Sequence, residues 1–181
     1  MRVIDLSQTL EDGMLVYPGD PPVRISQVHT LEKQGWQLRV LSMGSHAGTH
    51  VDAPSHMDAS GHTIDRVPLA RFMGKARVVE SSAQTFRGHI GLVFQEGVID
   101  LPLFTAIADA HPLFVVTGDS ASLTIEMERK LLQHDILTFT DLINLSQLPE
   151  DQEFLFYGIP LKIKDGDGSP VRAFAVVDGL L

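Results

Sequence analysis

The chain contains no cysteine among its 181 residues. This absence excludes disulfide bonds, a thiolate nucleophile and a cysteine-based zinc site. Any metal site must therefore be built from histidine, aspartate, glutamate or backbone oxygen atoms. A cysteine-free chain suits a reducing compartment, and polar residues Asp5, Gln8 and Glu11 interrupt the first segment before it reaches signal-peptide length. We therefore expect a cytoplasmic protein.

Long apolar runs and clusters of basic residues are also missing from the sequence. No segment approaches the roughly 18 consecutive apolar residues that a membrane-spanning helix needs. The formal net charge of −9 would repel the phosphate backbone of a nucleic acid. The sequence thus predicts a protein whose partners are neither membranes nor nucleic acids.

The apolar content, 44% of the residues, is sufficient for one buried core, and the length suits a single domain over residues 1–181. Short β-rich stretches recur, and two segments, 101–110 and 123–133, have helical features, the second with Ser120 or Ser122 as a candidate N-cap. The predicted strands are Val3 to Leu6, Val23 to Val28, Gln37 to Met43, Ala76 to Glu80, Leu92 to Phe94, Leu113 to Thr117, Ile136 to Phe139, Phe154 to Tyr157 and Val171 to Val177. This pattern predicts a β-rich, mixed α/β domain.

Three of the eight histidines and one aspartate fall within one short segment. They are His46, His50, Asp52 and His56. Glycine and proline in this segment argue against a helix, and in an extended chain all four side chains start on the same side. A straight strand of this length would span roughly 33 Å, which is too long for ligands of one ion. We therefore predict a bend, supplied by Gly48 and Pro54.

Two imidazoles and a carboxylate are a common ligand set for a catalytic divalent metal ion. Zinc or manganese suits such ligands, and the ion would lower the pKa of a bound water and so generate a hydroxide nucleophile. His56, four residues after Asp52, could accept and return a proton near neutral pH. The competing interpretation is accidental spacing, since histidine and aspartate are also ordinary turn residues. The other five histidines are interpreted as structural or surface residues: His29, His62, His89, His111 and His134.

The whole segment from His46 to His56 matches the HxGTHxDxPxH motif, and the chain thereby resembles the cyclase family, which includes bacterial kynurenine formamidases. Further landmarks of the resemblance are Ile4 to Leu10, Tyr17 to Asp20, Gly61 to Asp65, Val67 to Leu69, Pro160 to Lys164 and Gly168 to Arg172. The resemblance implies a swivelling β/β/α fold and a homodimer or homotetramer. It also implies that His46, His50 and Asp52 are metal ligands and that His56 is the catalytic acid/base.

The reaction implied by the resemblance is hydrolysis of a small-molecule substrate, N-formylkynurenine, to kynurenine and formate. A metal-bound hydroxide would attack the formyl carbon, and His56 would pass a proton to the departing arylamine. Two alternatives stay open. One is hydrolysis of another cyclic amide, imide or lactone, and the other is a degenerate member that binds a metal or ligand without turnover.

Two regions depart from the family pattern. Relatives with two metal ions have a histidine where this chain has Glu128 and a glutamate where it has Thr140, so one ion is favoured over two, although Glu128 could still bind metal. Asp141 is next to Thr140, but a neighbour on a strand should point to the opposite face. The tryptophan of the family's substrate loop is also missing, since the chain has only Trp36. The segment from Asp165 to Pro170 is interpreted as a turn.

Overall fold

The computed structural model describes residues 1–177, and these residues form thirteen strands and three α-helices. The strands are β1 Arg2–Asp5, β2 Arg24–His29, β3 Leu38–Ser42, β4 His50–Asp52, β5 Met73–Val79, β6 Gly91–Phe94, β7 Gly97–Ile99, β8 Phe114–Gly118, β9 Ala121–Leu123, β10 Leu137–Leu142, β11 Phe154–Tyr157, β12 Gly168–Pro170 and β13 Phe174–Val177. The α-helices are α1 Leu31–Gln34, α2 Phe104–Asp109 and α3 Ile125–Gln133. Four short 3-10 helices cover Pro54–His56, Leu69–Phe72, Leu101–Leu103 and Leu145–Gln147. The expectation of a β-rich, mixed α/β fold is confirmed.

Eleven of these strands form one mixed sheet, with the order β1-β13-β11-β5-β6-β8-β10-β4-β12 along its main path and the pair β7 and β9 attached through β8. The central strands β5, β6, β8 and β10 run parallel, whereas the strands on either side of them pair antiparallel. All four residues of β6 are buried. Burial on both faces explains why the central strands read as continuous apolar runs in the sequence.

The two faces of the sheet have separate apolar layers. One layer contains the mutually packed rings of Phe114, Phe139 and Phe156, whose centroids lie 4.9–5.4 Å apart. The other is covered by α2 and α3, which bury Ile107 and Leu131. Helix α3 thereby lies against the sheet, with its N-terminal half near the histidine segment.

Helix α3 begins two residues later than the sequence predicts, and its N-cap differs from the prediction. Thr124 is the N-cap, and its side chain accepts a hydrogen bond from the Met127 backbone at 3.3 Å. Ser120 and Ser122 cannot serve because the chain is still extended in β9 before Thr124. The first predicted helix also divides, into the 3-10 turn Leu101–Leu103 followed by α2.

Strands β2 and β3 form a separate two-stranded hairpin. Every residue of β3 is exposed, and no residue of β2 is fully buried. Several large apolar side chains on the hairpin are about half exposed or more: Val28, Leu31, Trp36, Leu38, Val40 and Leu41. Within residues 1–177, none of the helices combines the length and the apolar character needed to span a bilayer.

Candidate metal centre and active site

The histidine segment bends on both sides of β4, as the sequence predicts. Before the strand, Gly48 adopts a left-handed conformation with φ of 63°, which a side chain would strain. After the strand, Pro54 begins the 3-10 turn that ends at His56. Strand β4 itself is only three residues long and lies between β10 and β12, which fixes His50 and Asp52 on a buried strand.

His46, His50 and Asp52 meet at one point. His46 Nδ1 lies 2.6 Å from Asp52 Oδ1, and His50 Nε2 lies 3.4 Å from the same oxygen. One ligand atom from each of the three residues lies within 4.8 Å of those of the other two. His50 and Asp52 are nearly inaccessible, at 8% and 1% of their surface. The structure therefore brings these three predicted ligands together in a donor set of two nitrogens and one oxygen.

The ring nitrogens on the far side of this point are also bonded. His50 Nδ1 lies 2.6 Å from the Gly48 carbonyl oxygen, to which it can only donate, so the Nε2 of a neutral ring keeps its lone pair. His46 Nε2 lies 2.8 Å from Asp167 Oδ2, and donation to that carboxylate leaves its Nδ1 free to ligate. Histidine ligands of metals are commonly oriented by such partners on their second nitrogen. The donor set thus fits a divalent metal ion by the chemistry of its atoms and by their orientation.

Electrostatics at the cluster also favour a cation. Burial alone would lower the pKa of His46, but Asp52 and Asp167 on either side raise it to about 9. Burial would likewise raise the pKa of Asp167, yet hydrogen bonds from His46 and Ser45 lower it to about 2. The pKa of Asp52 is lowered despite full burial, because His50 and His46 surround it. In the metal-free state a protonated His46 therefore lies between two carboxylates, and a metal ion would displace that proton.

Glu128 extends from α3 toward the same cluster, on the far side of Asp52. The hydroxyl of Thr138 donates to Asp52 Oδ2 at 3.0 Å and lies 3.4 Å from Glu128 Oε1. Burial, followed by the negative charge of Asp52, raises the pKa of Glu128 to about 7. Among residues 1–177, the groups with ligand atoms at metal-binding spacing contain His46, His50 and Asp52, or His46, His56 and Asp167, and neither contains Glu128. Glu128 as a ligand stays a prediction.

Thr140 and Asp141 both approach His50, contrary to the strict alternation that we predicted for a strand. Thr140 Oγ1 is 2.9 Å from His50 Nε2, and Asp141 Oδ2 is 4.0 Å from His50 Nδ1. The reason is an irregularity in β10, where the register with β8 shifts between Phe139 and Leu142 and Asp141 has φ of 58°. A bulged residue does not follow the alternation of a regular strand.

His56 lies at the open side of the cluster, and 29% of its side chain is exposed. Its ring centroid is 4.0 Å from that of His46, and its Nδ1 is 3.4 Å from Asp167 Oδ2. This position suits a group that exchanges a proton with a substrate above the ligands. The proton-transfer role itself stays a prediction.

Asp167, like Thr138, is a site residue that the sequence analysis missed. We interpreted Asp165 to Pro170 as a turn, whereas residues Gly168–Pro170 form β12, paired with β4 so that Gly168 is opposite Asp52. Asp167 precedes this strand and is separated from His46 by 121 positions in the chain. Its only signal in the sequence was its place directly before the landmark that begins at Gly168, because spacing alone cannot relate residues so far apart.

The fold and the site define a class, a β-rich α/β domain in which His50 and Asp52 of a short buried strand meet a partly buried histidine, His46. The family model described as "Putative cyclase" matches residues 4–131, and this chain is 31% identical over 207 aligned residues to the kynurenine formamidase of Salinibacter ruber, with 96% of each chain covered. The chain belongs to the cyclase family.

Solved structures show the same fold. Isatin hydrolase A from Labrenzia aggregata, bound to benzyl benzoate, superposes with a TM-score of 0.78 at 22% identity, covering 98% of this chain and 94% of that one. A structure described as a predicted metal-dependent hydrolase from Bacillus stearothermophilus gives a TM-score of 0.74 at 19% identity, covering 96% and 97%. The fold implied by the cyclase resemblance is therefore confirmed.

Proposed function

We propose that this chain is a metal-dependent amidohydrolase that cleaves an N-formyl arylamine, with N-formylkynurenine as the substrate and kynurenine and formate as the products. The observation that carries the proposal is the convergence of His46 Nδ1, His50 Nε2 and Asp52 Oδ1, with the opposite nitrogen of each ring held by a hydrogen-bond acceptor. The relative from Salinibacter ruber, a kynurenine formamidase, supports the choice of substrate.

His46, His50 and Asp52 would hold the ion, zinc in the first place and manganese in the second. A divalent ion in this position supplies Lewis acidity, which activates water and stabilises negative charge on a carbonyl oxygen. One ion is favoured over two. Relatives with two metal ions have a glutamate at the position of Thr140, whereas here the Thr140 hydroxyl lies 2.9 Å from His50 Nε2. The structure described as a metal-dependent hydrolase has the same fold, which agrees with a metal at this cluster.

The chain's own contribution to the reaction is proton transfer and orientation. Water adds to the formyl carbon, the carbon–nitrogen bond breaks, and the departing arylamine must gain a proton. With Nδ1 of His56 facing Asp167, the Nε2 of the same ring is the atom that takes a proton from water and returns it to the amine nitrogen. His50 and Asp52 are buried, so water and substrate cannot reach the cluster from the side of β4. The reaction therefore takes place on the exposed side, where His56 lies.

The experiment that tests this function couples metal content to turnover. Protein purified without chelator should contain about one zinc ion per chain, lost in the His50→Ala variant and retained in Glu128→Ala. The zinc-loaded protein should hydrolyse N-formylkynurenine over many turnovers, and His56→Ala should reduce kcat by about 100-fold or more with the zinc still bound. His62→Ala is the matched control, because its side chain is 69% exposed and its ring faces Asp135, at 3.6 Å, and not a residue of the metal cluster.

Other outcomes of this experiment lead to the alternative functions. About two ions per chain, with one lost in Glu128→Ala, would replace the one-ion site by a two-ion site. Turnover of a cyclic amide, imide or lactone, but not of the formyl amide, would support a hydrolase with a substrate other than the one proposed. Bound metal with no turnover on any of these substrates would leave a metal-binding member without activity.

We further propose that the chain forms a homodimer or homotetramer in the cytoplasm. The exposed apolar side chains of the β2–β3 hairpin support self-association, since exposed apolar clusters of this kind commonly mark protein contacts. The hairpin also lacks a third strand, and an isolated two-stranded hairpin is only marginally stable in water. A second copy would supply the missing packing.

A further inference from the structure

Asp167 contacts both a predicted metal ligand and the predicted acid/base. Its Oδ2 lies 2.8 Å from His46 Nε2 and 3.4 Å from His56 Nδ1. Its other oxygen, Oδ1, accepts a hydrogen bond from the Ser45 hydroxyl at 2.9 Å. A single carboxylate therefore joins the two functions that the site requires, metal binding and proton transfer.

The position of this carboxylate is fixed by the backbone around it. The Asp167 carbonyl accepts a hydrogen bond from the Ala53 backbone at 2.9 Å, one residue after the ligand Asp52. The preceding carbonyl, of Gly166, accepts from the Ile64 backbone at 2.7 Å. The next residue, Gly168, pairs with Asp52 across the strands β12 and β4. Asp167 is thus held beside the ligand strand by its own carbonyl and by Gly168, and the residue before it is held by Ile64.

We propose that Asp167 is a positioning residue that sets the orientation and the tautomer of His46 and His56 together. It accepts the Nε2 proton of His46, which leaves the Nδ1 lone pair for an ion held beside Asp52. Its negative charge also faces Nδ1 of His56 at 3.4 Å, which favours a proton on that nitrogen and leaves Nε2 for the substrate. This inference rests on the proposed function for its catalytic half, whereas its metal-binding half is independent of any substrate.

The alternative role for Asp167 is that of a ligand. His46, His56 and Asp167 also have ligand atoms within 4.8 Å of one another. The two sets share His46, and a neutral imidazole has only one lone pair to offer, so one ring cannot serve an ion on each side without losing both protons. The carboxylate is therefore better assigned to the hydrogen of Nε2 than to a second ion.

The test uses Asp167→Asn, which retains the shape of the side chain but removes its charge and offers only one acceptor oxygen. The matched control is Asp165→Asn in the same loop, whose side chain contacts neither histidine and whose φ of 54° asparagine tolerates. Three quantities are measured on full-length protein: the zinc dissociation constant, kcat and KM for the formyl amide, and the nitrogen-15 NMR signals of the histidine rings in the zinc-loaded form.

We expect Asp167→Asn to weaken zinc binding by 10- to 100-fold, in line with other partners of metal-bound histidines. At saturating zinc, kcat should fall by about 100-fold while KM changes by less than about threefold, because the lost group orients His56 and does not bind substrate. The signal of a protonated Nε2 on His46 should be altered. Asp165→Asn should match the wild type in all three measurements.

Three results would overturn the inference. Unchanged zinc affinity and ring signals, with only a lower melting temperature, would make Asp167 merely structural. Loss of one bound ion per chain from a two-ion protein would make it a ligand. Equal loss in both aspartate variants would point to damage of the loop. If the wild type turns over no substrate, the proposed function fails, but zinc affinity and the ring signals still decide the role of Asp167 toward His46.

Discussion

The hydroxyl of Thr138 lies between the buried carboxylate of Asp52 and the partly buried carboxylate of Glu128, and this arrangement defines the state of Glu128. The hydroxyl has one proton, which it donates to Asp52 at the shorter distance of 3.0 Å. Glu128, at 3.4 Å, is therefore left beside a negative charge in a partly buried position. Both conditions disfavour its ionised form, so the raised pKa of about 7 has a local cause.

Replacing Glu128 by glutamine should stabilise the metal-free protein at alkaline pH. The pKa of Glu128 is higher in the folded state, about 7, than the reference value of 4.5, so its contribution to stability is complete below 4.5 and is lost as pH rises through 7. Glu128→Gln removes this loss. The free energy of unfolding in urea with chelator should be nearly equal for both proteins at pH 4.5, and about 3 kcal/mol higher for the variant at pH 8.

The control for this prediction is Glu126→Gln, on the exposed face of the same helix. Glu126→Gln should change the free energy of unfolding between the two pH values by the same amount as in the wild type. A Glu128→Gln effect of the same size at pH 4.5 and pH 8 would show that packing, and not ionisation, distinguishes the two side chains.

At the scale of elements, the sequence predicts the structure best where a segment's own pattern determines it. The central strands β6 and β8 are predicted from short β-rich stretches, and the bends of the histidine segment are predicted from Gly48 and Pro54. The three-residue strands β4, β7, β9 and β12 were not predicted as strands, because they depend on partners far away in the chain. The same limit applies to the site. Its ligands are local in sequence, whereas Asp167 and Thr138 reach it only through strand pairing.

The close pairing of β12 with β4 gives a prediction at Gly168. A Cβ atom at this position would lie 2.5 Å from His46 Cε1 and 2.8 Å from the Val51 carbonyl oxygen. The carbonyl belongs to the ligand strand and cannot move freely, so the His46 ring must rotate away from Asp52. Gly168→Ala should therefore weaken zinc binding at least tenfold and destabilise the fold by about 1–3 kcal/mol. Zinc titration and urea unfolding measure the two effects.

Gly44→Ala serves as the control for this substitution. It lies two residues before His46, and its Cβ atom would meet only Pro21 at an ordinary distance of 3.8 Å. Zinc affinity that is unchanged in Gly168→Ala would mean that β12 can move away from β4 without moving the ligand, and would contradict the close coupling of the two strands.

At the scale of the whole molecule, the core and the hairpin differ sharply in how they are packed. The main sheet is covered by an apolar layer on each face. The β2–β3 hairpin, in contrast, exposes apolar residues on both of its faces. Leu38 and Val40 share one face of β3, and Leu41 lies on the other. This exposure is the reason for the proposed contact between copies of the chain.

Val40→Asp should therefore convert the proposed oligomer into a monomer. Val40 is 50% exposed in the single chain, so the charge costs little there, but it would be desolvated in an interface between two copies. Light scattering coupled to size exclusion should give a dimer or tetramer mass for the wild type and a monomer mass for the variant. Val98→Asp, at a valine of β7 in the main sheet that is 64% exposed, should retain the wild-type mass. A wild type that is monomeric at about 100 μM would contradict a stable oligomer, because its dissociation constant would then exceed that concentration.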